Sequence, residues 1–319
     1  MTKYLKKIIK NILFFCWPSY RQGKIVEWRV DSMRSMVKNE LMLIDRKYQM
    51  LFWYLFQNPG ESLEEAKFRF FSMMPSATGK LRELQFKNIY ILENLQKICQ
   101  ENNLTMWLEG GTLLGAIRHK GFIPWDDDID VNMWAEDLEK LAIILENNEE
   151  FCYRNKFNYY LNCIVPGIEP RNGEGWVDIF PMEKINCNKL GFKETKLFIN
   201  DCSKKMKLEL KKRVRRESPD TEFLDMKAHD AEIIKKIINK YDAFLKTEGE
   251  CNCCYRSLSA LNSPGGADLF YLSDVLPLKE VEFEGRMYFA PENSELWLNT
   301  YYGDYLRIPL NILPKHFNS

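Results

Sequence analysis

Four aspartates, Asp126, Asp127, Asp128 and Asp130, fall within five positions of the segment WLEGGTLLGAIRHKGFIPWDDDIDV, residues 107–131. Two carboxylates held about 5 Å apart repel by about 3 kcal/mol at an effective dielectric near 20. A chain that packs acids this tightly beside apolar residues compensates them with a cation. Oxygen-only ligands suit a hard ion, Mg²⁺ or Mn²⁺. A glycine pair, Gly110 and Gly111, lies just upstream. It permits a tight turn and lets backbone approach a ligand closely. A helix opening there would present free N–H groups and the positive end of its dipole, the setting for a metal-bound phosphate.

The elements that must position these groups follow from the pattern. Thr105–Glu109 is expected to be a strand entering the core, and Thr112–His119 a short helix with Leu113, Leu114 and Ile117 on its apolar face. Gly121 and Pro124 end it. Asp128–Met133 then resumes as a strand. Alternation puts Asp128 and Asp130 on one face, joined by Asp126 if the strand begins early, while Asp127 points away. Trp176–Phe180 reads as a further strand, with Asp178 among large apolar neighbours. That acid is either a third ligand or is capped by a buried partner.

Strand, glycine pair, helix and a strand with Asp-x-Asp resemble the nucleotidyltransferase superfamily typified by DNA polymerase β. The longer string GGTLLGAIRHKGFIPWDDDID resembles the LicD family more specifically, which includes bacterial phosphocholine transferases and is related to fukutin and fukutin-related protein. Leu81–Asn103, Trp176–Pro181 and the segment FEGRMYFAPENSELWLNTYYGDYLRIP, residues 283–309, fit the same family. The likeness covers roughly residues 80–310, unevenly.

The resemblance implies an α+β enzyme with a nucleotidyltransferase-like mixed β-sheet core and many surrounding helices. Its expected parts are a helical extension over residues 1–79, a catalytic core over 80–185 and an accessory region over 186–319. It implies metal-dependent transfer of phosphocholine or a phospho-alditol from a CDP-linked donor to a hydroxyl of a cell-surface glycan, such as lipopolysaccharide or teichoic acid, or its lipid-linked precursor. CMP would be released. Asp128, Asp130 and Asp178 are the expected metal ligands, and Asp178 or Asp126 the proton acceptor. Gly110, Gly111, Thr112, Arg118, His119 and Asp304 are the expected substrate-binding positions. Arg118 can grip phosphate bidentately or simply neutralise the helix C-terminus. Nucleotidyl transfer to a small acceptor, or a non-catalytic glycan-binding or scaffolding role, are the alternatives.

Composition bounds these readings. Lys+Arg and Asp+Glu both count 45 in 319 residues, a net charge of zero, so a polynucleotide partner is not expected. Nine cysteines form no regular framework, which favours reduced thiols and a cytoplasmic setting. Cys251, Cys253 and Cys254 cluster, but the second pair that tetrahedral zinc wants is missing. Lys3, Lys6, Lys7 and Lys10 oppose Leu5, Ile8, Ile9 and Ile12 on a helical projection. Residues 1–20 are therefore expected to anchor peripherally on the inner face of the cytoplasmic membrane, the alternative being a helix packed on the domain body. Helices are also expected over about 27–57, 62–74, 204–216 and 222–246. Trp297–Tyr302 should form another, ending at Gly303 and folding back over the acids or locking the C-terminus.

Overall fold

The computed structural model describes residues 18–158, 162–214, 223–225, 231–246, 248–260 and 268–309. The basic stretch Lys3–Trp17 lies outside the described residues. The chain divides into two compact units, Met1–Lys67 and Phe68–Ser319.

In the first unit, helix α1 (Pro18–Phe56) runs for 39 residues. Asn58-Pro59-Gly60 ends it, because proline has no amide to continue the ladder and Gly60 adopts φ +83°. Helix α2 (Leu63–Ser72) starts at a capping box: Ser62 Oγ accepts from the Glu65 amide, and the Glu65 carboxylate accepts from the Ser62 amide.

The second unit is α+β. It contains α3 (Gly79–Glu101), β1 (Met106–Leu108), α4 (Gly110–His119), β2 (Asp130–Trp134), α5 (Ala135–Glu146), β3 (Phe151–Asn158), β4 (Cys163–Pro170), β5 (Val177–Ile185) and α6 (Phe192–Arg213). Then follow β6 (Phe223–Asp225), α7 (Ala231–Asp242), β7 (Cys253–Arg256), β8 (Leu269–Tyr271), α8 (Leu272–Val275), the hairpin β9 (Lys279–Phe283) and β10 (Arg286–Ala290), and α9 (Ser294–Tyr302).

Strands β1-β2-β5-β4-β3-β6 form one mixed sheet, with β7 paired to β5 and β8 to β7. Only β2 and β5 run parallel among the described pairs, and their register sets Asp130 beside Asp178. Directly opposed residues share a face, so both carboxylates rise from the same side. The central strands are apolar on the other: Val131, Met133, Val177 and Ile179 are essentially inaccessible. Helix α3 presents Gln85, Asn88, Ile91, Leu92, Leu95 and Cys99 inward at helical spacing. Helices α6 and α7 close a second core around Ile199, Met206, Ile234 and Ile237.

Several expectations are corrected. Strand β2 begins at Asp130, not Asp128, because residues 126–129 are not laddered. Alternation therefore does not extend back to Asp127, whose carboxylate groups with its neighbours. Residues 222–246 are not one helix: Phe223–Asp225 pair with the outer edge of β3, so ladder bonds override local helical preference, and α7 starts only at Ala231. Helix α6 starts at Phe192, well before residue 204. The eight described cysteines carry no disulfide. No helix among the described residues is long and apolar enough to cross a membrane.

Candidate active site

The site is built where β1 turns into α4. Gly110 takes φ +53°, a left-handed conformation that a side chain would strain. A Cβ on Gly110 would lie 2.7 Å from Asp130 Oδ2, and one on Gly111 would lie 2.6 Å from Asp126 Oδ2. Both distances are below any real carbon–oxygen contact. A side chain on either glycine would push a carboxylate aside: two carboxylates rest on bare backbone at the positive end of α4. The corner is pinned by the Asp130 amide, which donates to Thr112 Oγ1 at 2.9 Å, and by the Glu109 amide, which donates to the Asp130 carbonyl at 3.0 Å.

Carboxylate oxygens of Asp126, Asp127 and Asp128 all lie within 4.8 Å of one another, the one such group among the described residues. Their loop hangs from α3. Gln85 Nε2 donates to the Asp126 carbonyl at 2.8 Å, and Asn88 Nδ2 to the Asp127 carbonyl at 3.0 Å. Asn88 Oδ1 also accepts from the Trp176 amide at 3.0 Å, which ties the start of β5 to the same helix. Gln85 and Asn88 are fully buried and dictate where the acids sit, yet read locally as ordinary polar helix residues.

Burial raises the Asp130 carboxyl well above its ordinary pKa, and Asp128, Asp126 and Glu109 add to the effect, while Arg256 opposes it. Asp178 has a partner: Arg154 of β3 forms an ion pair with it. The guanidinium reaches over β4 at Gly167, where a Cβ would lie 3.1 Å from Arg154 Nη2 and 2.5 Å from the Val177 carbonyl. An oxygen-only carboxylate cluster on a glycine cradle at a helix N-terminus fits a hard divalent cation.

Residues 103–229 match the family model described as LicD/FKTN/FKRP, nucleotidyltransferase domain. Over these residues the chain is similar to the LicD family. It is 28% identical over 264 residues to the lipopolysaccharide cholinephosphotransferase LicD of Haemophilus influenzae, covering 72% of this chain and 92% of that one. Over 41 residues it is 59% identical to the human ribitol 5-phosphate transferase FKRP, covering 13% of this chain and 8% of that one. A third match, 32% over 88 residues, is to mannosyltransferase regulator 14 of Saccharomyces cerevisiae, covering 26% and 9%.

The site is backed by residues beyond 103–229. Glu109, 1% exposed, accepts from Trp297 Nε1 at 2.8 Å, from Arg256 Nη2 at 2.5 Å and from Asn132 Nδ2. Arg256 also donates to the Tyr301 hydroxyl at 2.8 Å and lies 3.6 Å from Asp268. Its guanidinium sits 4.3 Å from the centre of the Phe180 ring. Burial works against the Arg256 charge, but Tyr301, Glu109 and Asp268 outweigh it and hold it protonated. The cation therefore stands on the same sheet face as Asp130 and Asp178.

The remaining expected positions have defined surroundings. Arg118 is buried, donates from Nη1 to the Tyr305 carbonyl at 2.9 Å and lies 4.0 Å over the Phe71 ring. Burial lowers its pKa to about 10, so it stays cationic at neutral pH. His119 packs edge-on against Phe71 at 5.4 Å, and burial first, then Arg118, lowers its pKa to about 3. The imidazole is neutral there. Asp304 is exposed in the turn after Gly303. Helix α9 folds back on the sheet: Trp297 stacks on Phe270 at 3.9 Å and reaches Glu109. The Tyr302 hydroxyl pKa is raised, by desolvation first and then by Asp130, Glu109, Asp126 and Asp128, although the residue as a whole is exposed.

Proposed function

We propose that this chain transfers a phosphorylated small group, phosphocholine or a phospho-alditol, from a CDP-activated donor to a glycan hydroxyl. The observation that carries the reading is the acid cluster Asp126–Asp128 and Asp130 resting on the bare Gly110-Gly111 backbone. It occurs in a chain similar to a cholinephosphotransferase across 92% of that relative. The donor set is oxygen-only, so Asp126, Asp127, Asp128 and Asp130 would hold Mg²⁺ or Mn²⁺, with Asp178 beside them on β5. When bound, the ion supplies neutralisation of phosphate charge.

The chain's own residues do the rest. The N-terminus of α4 would receive the anionic donor, because a helix N-terminus presents unpaired amides and the positive end of its dipole. The acceptor hydroxyl oxygen attacks the phosphorus distal to the nucleoside. The bond to the CMP oxygen breaks, and CMP leaves with the electron pair. Asp126, partly exposed at the cluster, takes the hydroxyl proton on the carboxylate oxygen that would not face the ion. Asp178 is the weaker base because Arg154 holds its charge. Tyr302 donates a hydrogen bond toward the phosphates. The acceptor is a lipopolysaccharide- or teichoic-acid-type glycan or its lipid-linked precursor, met at the cytoplasmic face of the membrane.

The test is incubation of the protein with Mg²⁺, a glycan acceptor and CDP-choline, CDP-ribitol or CDP-glycerol in turn, with CMP followed by chromatography. One donor should yield acceptor-dependent CMP, and Asp128→Asn should yield none. Pyrophosphate released from CTP, with no CMP from any donor, would replace this reading with nucleotidyl transfer.

A further inference from the structure

Four residues form one row across the sheet. Arg154 on β3 lies directly opposite Gly167 on β4, Gly167 opposite Asp178 on β5, and Asp178 opposite Asp130 on β2. Opposed residues share a face, so the Arg154 side chain rises on the side that carries the acids. Strands lie about 4.8 Å apart, so Arg154 starts about 10 Å from the Asp178 backbone and must cross β4 to pair with it. Gly167 is the crossing point: a Cβ there would lie 3.1 Å from Arg154 Nη2 and 3.2 Å from Nε.

The donors of this guanidinium are not filled. It forms an ion pair with Asp178, yet Nε and Nη2 are buried with no acceptor in hydrogen-bonding geometry among the described residues. Buried N–H groups are rarely left so. Burial lowers the Arg154 pKa, Glu169 and Asp130 oppose that, and an arginine starts high enough to stay charged. Two other cations of this face are already held. Lys156 pairs with Glu169 at 3.4 Å, and Arg256 with Glu109, Asp268 and Tyr301. A divalent ion beside Asp178 would compete with Arg154 for the same carboxylate and repel its charge. A phosphate offsets both effects, because its oxygens accept from the guanidinium fork and carry the opposite sign.

We infer, on the transfer reading proposed above, that Arg154 grips the donor's diphosphate and that Asp178 holds the guanidinium in place until the donor arrives. The test is calorimetry of the full chain with Mg²⁺ and with CDP, beside melting in chelator. Arg154→Lys keeps a charge for Asp178 but loses the fork. It should melt near wild type, yet bind CDP in saturating Mg²⁺ roughly tenfold or more weakly, the worth of a hydrogen bond to a charged group. Arg154→Met should lose CDP affinity at least as far while binding Mg²⁺ more tightly, since Asp178 is no longer shared. An arginine that only neutralises Asp178 gives another pattern, a lower melting temperature for Arg154→Met and wild-type CDP affinity for both variants. That pattern would overturn the inference. In turnover, Arg154→Lys should raise the donor KM with little change in kcat. CMP formed with an unchanged donor KM would overturn the inference and leave the transfer reading standing. No CMP from any CDP-linked donor, with the loss of CDP affinity intact, would do the reverse.

Discussion

Replacing Arg256 by Met should be among the most damaging single changes in the second unit, although the residue lies beyond the family-model match at residues 103–229. Methionine keeps packing against Phe180 but strands Glu109 and Asp268. The Glu109 and Arg256 side chains are 1% and 8% exposed, so water cannot take over the lost charge. Breaking a buried pair from one side costs about 3–5 kcal/mol. In a unit of this size each kcal/mol shifts the melting temperature by about 2–4 °C, which gives a fall of about 6–20 °C. Glu109→Leu should cost a similar amount, because it strands the guanidinium near Asp268 alone. The double variant Glu109→Leu/Arg256→Met removes both charges, and should fall short of the summed single losses by about 2 kcal/mol or more. The assay is urea and thermal denaturation followed by circular dichroism in chelator, so that no cation contributes. An Arg256→Met protein melting within a degree of wild type, or a strictly additive double variant, would refute the reasoning.

Gly111→Ala should weaken Mg²⁺ binding by calorimetry roughly tenfold while barely moving the melting temperature, since its Cβ displaces the Asp126 carboxylate from 2.6 Å and Gly111 needs no left-handed φ; unchanged affinity would show that the acid does not use this cradle. Asp130→Asn should stabilise the metal-free protein by about 1–3 kcal/mol, because burial and three neighbouring acids oppose its charge, and a destabilised variant in chelator would count against that cause. Asp242, on α7, has its carboxyl raised to about 7, by burial first and then by Glu183, with Lys246 opposing. A carboxyl raised in the fold favours the folded state at low pH and loses that advantage between about pH 4 and 7. Asp242→Asn should therefore gain over wild type by about 2–3 kcal/mol between pH 5 and pH 8, and parallel pH–stability curves for the two proteins would contradict it.

What could be read from sequence was local. The breaks at Asn58-Pro59-Gly60 and 75–79 placed the early helices, because backbone chemistry acts within a few residues. The glycine pair and the aspartates announced the acid cluster because they are neighbours along the chain. The hairpin β3–β4 was not legible: Pro166, Gly167 and Pro170 look like breakers, yet Gly167 is there to let Arg154 cross to Asp178. Phe223–Asp225 looked helical because only the free edge of β3 makes them a strand. The Glu109 network was invisible because its members are spread from 109 to 301, and a buried acid at a strand end shows nothing of its partners. Asp127 was misplaced by extending the strand's alternation two residues too far.

The reach of that network bears on how the protein is made. Glu109 leaves the ribosome long before Arg256, and Trp297 and Tyr301 follow later still. Until they emerge, a carboxylate destined for a dry interior has no guanidinium or indole to meet it, and Arg118 has no Tyr305 carbonyl to grip. The acidic loop and α3 can take shape early in synthesis, but the sheet face behind them closes only when the last helix arrives. The chain should therefore fold late and as a unit during translation. Nascent chains arrested before residue 297 would expose β1 and α4 to protease, and those released after residue 309 would not.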